Sequence, residues 1–239
     1  MDTVRWTGAG LLALALILLL GTWFGDPNIE AESAAAMPAE VAAVHERTPW
    51  IVVAQAVQIS TVPVAVFAGV GLYLPLRRTR PGLGLAGLLL LTIGGLFLAL
   101  KGLVGMSMVM ASTQYATGDL VTAQSEYLVG VVLALAAMHW GTWFSGWALL
   151  GLAVAALGSG LAWGTRVLPR WTGWVALAGG ALTLLTPLMV PVAMPLFFFV
   201  WLLGALVLLV WMVAAGLVLL IRAPRPESSP GGAAAPTVA

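Results

Sequence analysis

Tyr127–Trp163 reads YLVGVVLALAAMHWGTWFSGWALLGLAVAALGSGLAW, and how often this stretch crosses a membrane decides the fold. It holds no Asp, Glu, Lys or Arg. A hydrocarbon core roughly 30 Å thick needs about 20 apolar residues per helix. The stretch is therefore long enough for one span with an external helical extension, or for two spans joined by a tight turn near Trp140, with Gly141 and Gly146 inside it. The charges around it discriminate between these readings. Lys and Arg beside a span stay in the cytoplasm. One crossing places Arg166 and Arg170 inside, and later Arg222 and Arg225 as well; two crossings put all four outside. The charge rule favours one crossing and six spans in all, with seven as the alternative.

Working outward, the same segregation runs through the chain. Eight of ten basic residues (Arg5, Arg77, Arg78, Arg80, Arg166, Arg170, Arg222, Arg225) fall on the cytoplasmic side of a six-span layout. Seven of nine acidic ones (Asp26, Glu30, Glu32, Glu40, Glu46, Asp119, Glu126) fall on the other. The expected spans are residues 6–24, 50–76, 84–108, 141–164, 171–187 and 195–221. An external loop is expected over 25–48, with an Ala-rich piece suited to a short surface helix, and the polar stretch 112–126 reads as external too. Residues 120–140 are expected to form an external or interfacial helix, a re-entrant piece or an extension of the fourth span. Pro187, Pro191 and Pro195 suggest the turn between the last two spans, since each lacks a backbone donor. A transmembrane domain over 1–222 is thus followed by a Pro-, Ser- and Gly-rich tail, 223–239, with too little to bury to fold.

Composition agrees and excludes several functions. The chain is 61% hydrophobic and 8% charged, whereas about a quarter of residues are charged in soluble domains. It is an all-α membrane bundle. Without Cys there are no disulfides, thiolate nucleophiles or thiolate-bound metals, and two His make a multi-histidine metal or haem site hard to build. No cofactor is expected. A net charge of +1 offers no footprint for nucleic acid. The partners that remain are the lipid bilayer and another membrane protein, or a second copy of the chain. The start, Arg5 ahead of an apolar run, also resembles a signal peptide, but the run is long and ends in Trp23 and Phe24, which favours an anchored span. Trp23, Trp50, Trp140, Trp143 and Trp201 are expected at the outer interface, and Trp6, Trp163, Trp171 and Trp174 at the inner one.

Four residues are candidates for a ligand site or pathway. Lys101 is the one ionisable group well inside a span, where an unpaired cation costs about 2.5–3.5 kcal/mol. It either snorkels, pairs with Glu126 or Asp119 at the outer rim, or serves a pathway. Gln55 and Gln58, three apart, share a helix face with Ser60 and Thr61 beyond them, and either join helices or line a polar cavity. Pro63 loosens the same helix. His139 stands just before Gly141 and is more ordinary as a hydrogen-bonded structural residue than as a base. His45, between acidic and basic neighbours on the external loop, is expected to be solvated. No catalytic triad, phosphate-cradling loop or HExxH pattern can be assembled, so an enzyme is disfavoured.

The segment from Met138, MHWGTWFSGWALLGLAVAALGSGLAWGTRVLPRWTGWVALAGG, resembles a bacterial family of six-span membrane proteins known only as a domain of unknown function. The resemblance rests on His139, the glycines Gly146, Gly151 and Gly158, and a cytoplasmic loop ending in Leu168, Pro169 and Arg170, followed by Gly173. The loop departs from the family pattern in Gly164–Val167, which makes it one residue longer. The resemblance implies six spans independently of charge, and no known activity. Two functions emerge as expectations: a non-enzymatic accessory or partner-binding protein of the bacterial inner membrane, or a transporter or lipophile-binding protein with a polar cavity near Lys101, Gln55 and Gln58.

Overall fold

In the computed structural model the described residues are 3–23, 25–27, 29, 36–165, 167–189 and 194–221. All of their regular structure is helical: α1 (Thr3–Trp23), α2 (Met37–Glu46), α3 (Thr48–Ile59), α4 (Thr61–Leu76), α5 (Pro81–Thr117), α6 (Thr122–Gly164), α7 (Arg170–Met189) and α8 (Met194–Ile221). The expectations for Arg166, Pro191 and the tail lie outside the described residues. Five stretches are long and apolar enough to cross a membrane: Thr3–Thr22, Thr48–Leu76, Pro81–Thr117, Thr122–Gly164 and Leu196–Ile221.

The question posed by Tyr127–Trp163 has a direct structural answer, because α6 runs through it without a break. No turn occurs at Trp140. At 1.5 Å per residue α6 is about 65 Å long and α5 about 55 Å, roughly twice the hydrocarbon thickness. Their excess lies at one end, because α5 begins directly after Arg77–Arg80 and α6 stops beside it, with Arg80 packed on Gly164. The polar stretch 112–126, expected to be external, is mostly helix, and only residues 118–121 turn the chain. Helix α2 is no free surface helix either. It lays Val41 against Met108, Ala111 and Val132, and Val44 against Val109 and Ile51, so it braces the α5–α6 projection.

The second apolar segment is divided at Ser60. The Thr61 hydroxyl donates to the Gln58 carbonyl (2.5 Å) and the Ser60 hydroxyl to that of Val57 (2.6 Å). Such local bonds compete with the helix ladder, and Pro63 removes a donor in the next turn. Pro187, expected in a turn, is instead inside α7, which continues to Met189. One missing donor near a helix end is tolerable when the preceding turns are packed, as Thr183 and Thr186 are.

Neighbours in space follow the chain: α4 packs on α5, α5 on α6, α6 on α7, α7 on α8, and α8 returns to α1, which meets α4. The result is a closed ring, with α3 continuing α4 against α1 and α5. Lipid offers helices no hydrophobic drive to associate, so close approach and good packing must do so. Accordingly Gly151 faces Gly180 and Thr183, and Gly8 faces Gly216. The interior is filled by Leu14, Leu18, Leu98, Trp147, Leu150, Phe197, Leu208 and Trp211. Arg5, Arg77, Arg78, Arg80 and Arg170 lie at the end where α1 begins and α8 finishes, and α2, Asp119 and Glu126 lie at the other.

Candidate functional site

Lys101 is fully buried on α5, at the level where α1 ends. It stands about 30 Å along its helix from Pro81, a distance equal to the full thickness of a hydrocarbon core and not to half of it. A cation there needs a carboxylate. Asp26, just past the end of α1, supplies it: Lys101 Nζ donates to Asp26 Oδ2 at 3.1 Å and more weakly to the Gly21 carbonyl at 3.5 Å. Pairing with Glu126 or Asp119 is thus not what the fold provides, because both lie near the far tip of the α5–α6 hairpin.

The other Asp26 oxygen, Oδ1, lies 2.5 Å from His139 Nε2. The second ring nitrogen, Nδ1, is 3.2 Å from the Lys101 carbonyl, which can only accept, so Nδ1 carries a hydrogen. Both nitrogens of a buried imidazole therefore face acceptors, and a further proton lies between Nε2 and the carboxylate. With Asp26 ionised, the triad contains two cations and one anion. Asp26 lies outside the membrane-spanning segments, and burial by itself would raise its carboxyl. The Lys101 charge, with the hydrogen bond and charge of His139, outweighs that and holds it below its ordinary value.

Gln55 and Gln58 complete the cluster. Both are fully buried, and Gln55 Nε2 donates to the Gly25 carbonyl at 2.8 Å, which fixes the stretch of chain that carries Asp26. Gln58 occupies the space a side chain at Gly21 would need, and Gln55 sits 2.8 Å from where a Cβ at Gly105 would be. Both Gln58 amide atoms, Gln55 Oε1 and Thr22 Oγ1 are buried without a protein partner among the described residues. All four candidates from the sequence thus converge on one place. His45, expected to be solvated, instead bonds the Thr113 hydroxyl at 3.2 Å and ties α2 to α5.

Above the triad is a cavity of about 490 Å³. Its deeper wall is Thr22, Asp26, Ile51, Trp143 and Trp201, with Trp140 beside them, and Arg47, Trp50 and Phe198 stand more exposed at the mouth. Of the triad only Asp26 lines it, at 17% side-chain exposure. Trp140, Trp143, Trp201, Phe144 and Phe197 form a continuous aromatic stack behind it, with ring centroids 4.8 Å apart between Trp143 and Trp201. Asp26 was the residue that sequence reasoning missed, because it is one of five acids in a polar loop. Its signal is its position directly after the first apolar run, where a carboxylate can reach a cation at the same level of a neighbouring helix. At the other end, Pro169 accepts from the Thr172 backbone and hydroxyl, which starts α7 at Arg170. Arg77, Arg78 and Arg170 are exposed there and take no part in the cluster.

No curated protein and no solved structure matches the chain. One family model does, over residues 6–216, and that range takes in every part of the site. The chain belongs to the DUF4386 family, a domain of unknown function.

Proposed function

We propose that this protein is a six-span protein of the bacterial inner membrane, with both termini cytoplasmic, that binds a small amphipathic molecule in a cavity open to the external side. The observation that carries the reading is the convergence of Asp26, Lys101, His139, Gln55 and Gln58, from the end of α1 and from α5, α6 and α3, beneath an aromatic-walled cavity. Packing alone does not ask for two buried cations around one carboxylate, since ionisable groups near the membrane interior are costly and commonly functional. Pockets that combine apolar walls with a few convergent polar groups are the ordinary form of small-molecule sites. The grouping of Arg5, Arg77, Arg78, Arg80 and Arg170 at one end supports the orientation. The binding reading is preferred to that of an accessory subunit because the cluster opens on a cavity.

Purification in native lipid followed by native mass spectrometry tests this. A small molecule should remain bound to the wild type and be lost from Trp143→Ala and Asp26→Ala proteins that stay monodisperse. Retention of the same molecule by both variants, or a wild type that carries none, sinks the reading.

A further inference from the structure

If the cavity is a small-molecule site, as proposed, its chemistry narrows the occupant. Lys101 and His139 do not reach the cavity; they are buried behind Asp26. What a ligand meets at depth is a carboxylate and the rings of Trp140, Trp143 and Trp201. Indole faces carry partial negative charge and attract cations, most strongly where water is excluded. An anion would find Arg47 only at the exposed mouth, whereas Asp26 would repel an anion placed deeper. Thr22 Oγ1 and Trp143 Nε1 are buried wall atoms without a protein hydrogen-bond partner among the described residues, and they suit an oxygen carried next to the ligand's charge.

Charge balance adds a second requirement. Around Asp26 stand Lys101 from α5, His139 from α6 and Arg47 from the α2–α3 junction. α1, α3 and α8 present Thr22, Gln55, Phe198 and Trp201, none of which titrates. A triad with Lys101 charged, His139 doubly protonated and Asp26 ionised is already one positive charge in excess. A further cation beside it is accommodated when one proton leaves. The proton between His139 Nε2 and Asp26 Oδ1 is placed to do so, because Asp26 connects it to the cavity and thence to external water. His139 then keeps its Nδ1 hydrogen on the Lys101 carbonyl.

We propose that the cavity binds a small hydroxyalkyl ammonium, as a free cation or a lipid headgroup, against Asp26 and the Trp walls, in exchange for the proton shared by Asp26 and His139. The test uses the full-length protein in phosphatidylglycerol nanodiscs, which contain no ammonium headgroup. Choline is titrated while Trp fluorescence and, in lightly buffered solution, a pH dye are read. Choline should alter the fluorescence, release protons as it binds, and bind more tightly as the pH is raised. Its uncharged isostere, with carbon in place of the quaternary nitrogen, should bind at least about tenfold more weakly and release no proton. His139→Gln should still bind choline but lose the pH slope. If phosphatidylcholine nanodiscs abolish the choline signal, the natural source is a headgroup; if they do not, it is the free cation. Equal, pH-independent binding of choline and its isostere overturns the exchange and leaves a binding cavity. Binding of acetate in place of choline overturns the cation assignment. If none of the three binds and native mass spectrometry finds no molecule held, the cavity reading falls as well.

Discussion

Lys101 is tied to Asp26 more tightly than a snorkelling lysine would be. Its side chain is wholly buried, and its partner's second oxygen is held by His139. Removing one member of a buried pair leaves the other desolvated, commonly at 3–5 kcal/mol, and Asp26's partial access to the cavity moves the cost towards the lower limit. Lys101→Met should therefore lower stability by about 3 kcal/mol. The double variant with Asp26→Asn should lose clearly less than the two single losses added together, since both remove one interaction. Denaturation in mixed micelles measures this, and simple additivity would show that the pair is not coupled.

Asp26 also sets a pH dependence whose sign can be worked out. Its carboxyl is held below the ordinary value of 3.8 in the folded protein. Such a group contributes stability that is fully present above the unfolded value and is lost as pH falls through the folded one. Thermal unfolding should thus be independent of this group at about pH 5 to 7, and the wild type should weaken below about pH 4. Asp26→Asn should lack that component; an acid limb identical in both proteins would assign it to other carboxylates.

At the scale of elements, the helices are positioned by missing side chains. Gly151 on α6 lies against α7, where an added Cβ would overlap the Thr183 hydroxyl and come within 3.1 Å of the Gly180 carbonyl. Backbone cannot yield as a flexible side chain does, so Gly151→Leu should separate α6 from α7 and cost at least about 2 kcal/mol. Gly130, on the projecting part of the same helix, has nothing near the corresponding position. Gly130→Ala should be neutral or stabilise by up to about 1 kcal/mol through helix propensity. Comparing the two melting temperatures separates packing from propensity, and a similar loss in both would contradict the ring arrangement.

The same contrast between local and distant contacts accounts for the length of α5 and α6. Ser112–Glu126 is polar, and in a membrane protein polarity marks what leaves the lipid without saying whether the backbone uncoils. Both helices continue because α2 covers them through Val41 and Val44. That cover comes from a segment distant in sequence. Likewise, Pro187 looks like a helix end when read locally, whereas Thr183 and Thr186 are buried in the ring just before it.

For the whole molecule, orientation is the property most open to a direct test. The chain has no Cys, so single cysteines report cleanly. Ala123→Cys, exposed in the first turn of α6, should react with a membrane-impermeant maleimide in intact cells. Thr79→Cys, exposed in the Arg77–Arg80 segment, should react only after the membrane is opened. The reverse pattern would invert the topology and place the Trp-walled cavity on the cytoplasmic side.

By itself the amino-acid sequence determined that the chain is helical and built for lipid, where its basic and acidic ends lie, and which residues are too polar for their surroundings. These follow from local quantities, namely apolar run length, charge beside each run and the cost of a lone lysine in a span. That Trp50, Trp140, Trp143 and Trp201 surround one cavity was not readable, although each was expected near the outer interface. Interface preference fixes depth along a helix and says nothing of its azimuth. Only the tertiary structure decided that Lys101, His139, Gln55 and Gln58 meet, and that the acid joining them is Asp26. Partner choice between helices depends on closing the ring, a long-range packing condition that also needs Gly21, Gly102 and Gly105 to leave room for Gln55 and Gln58.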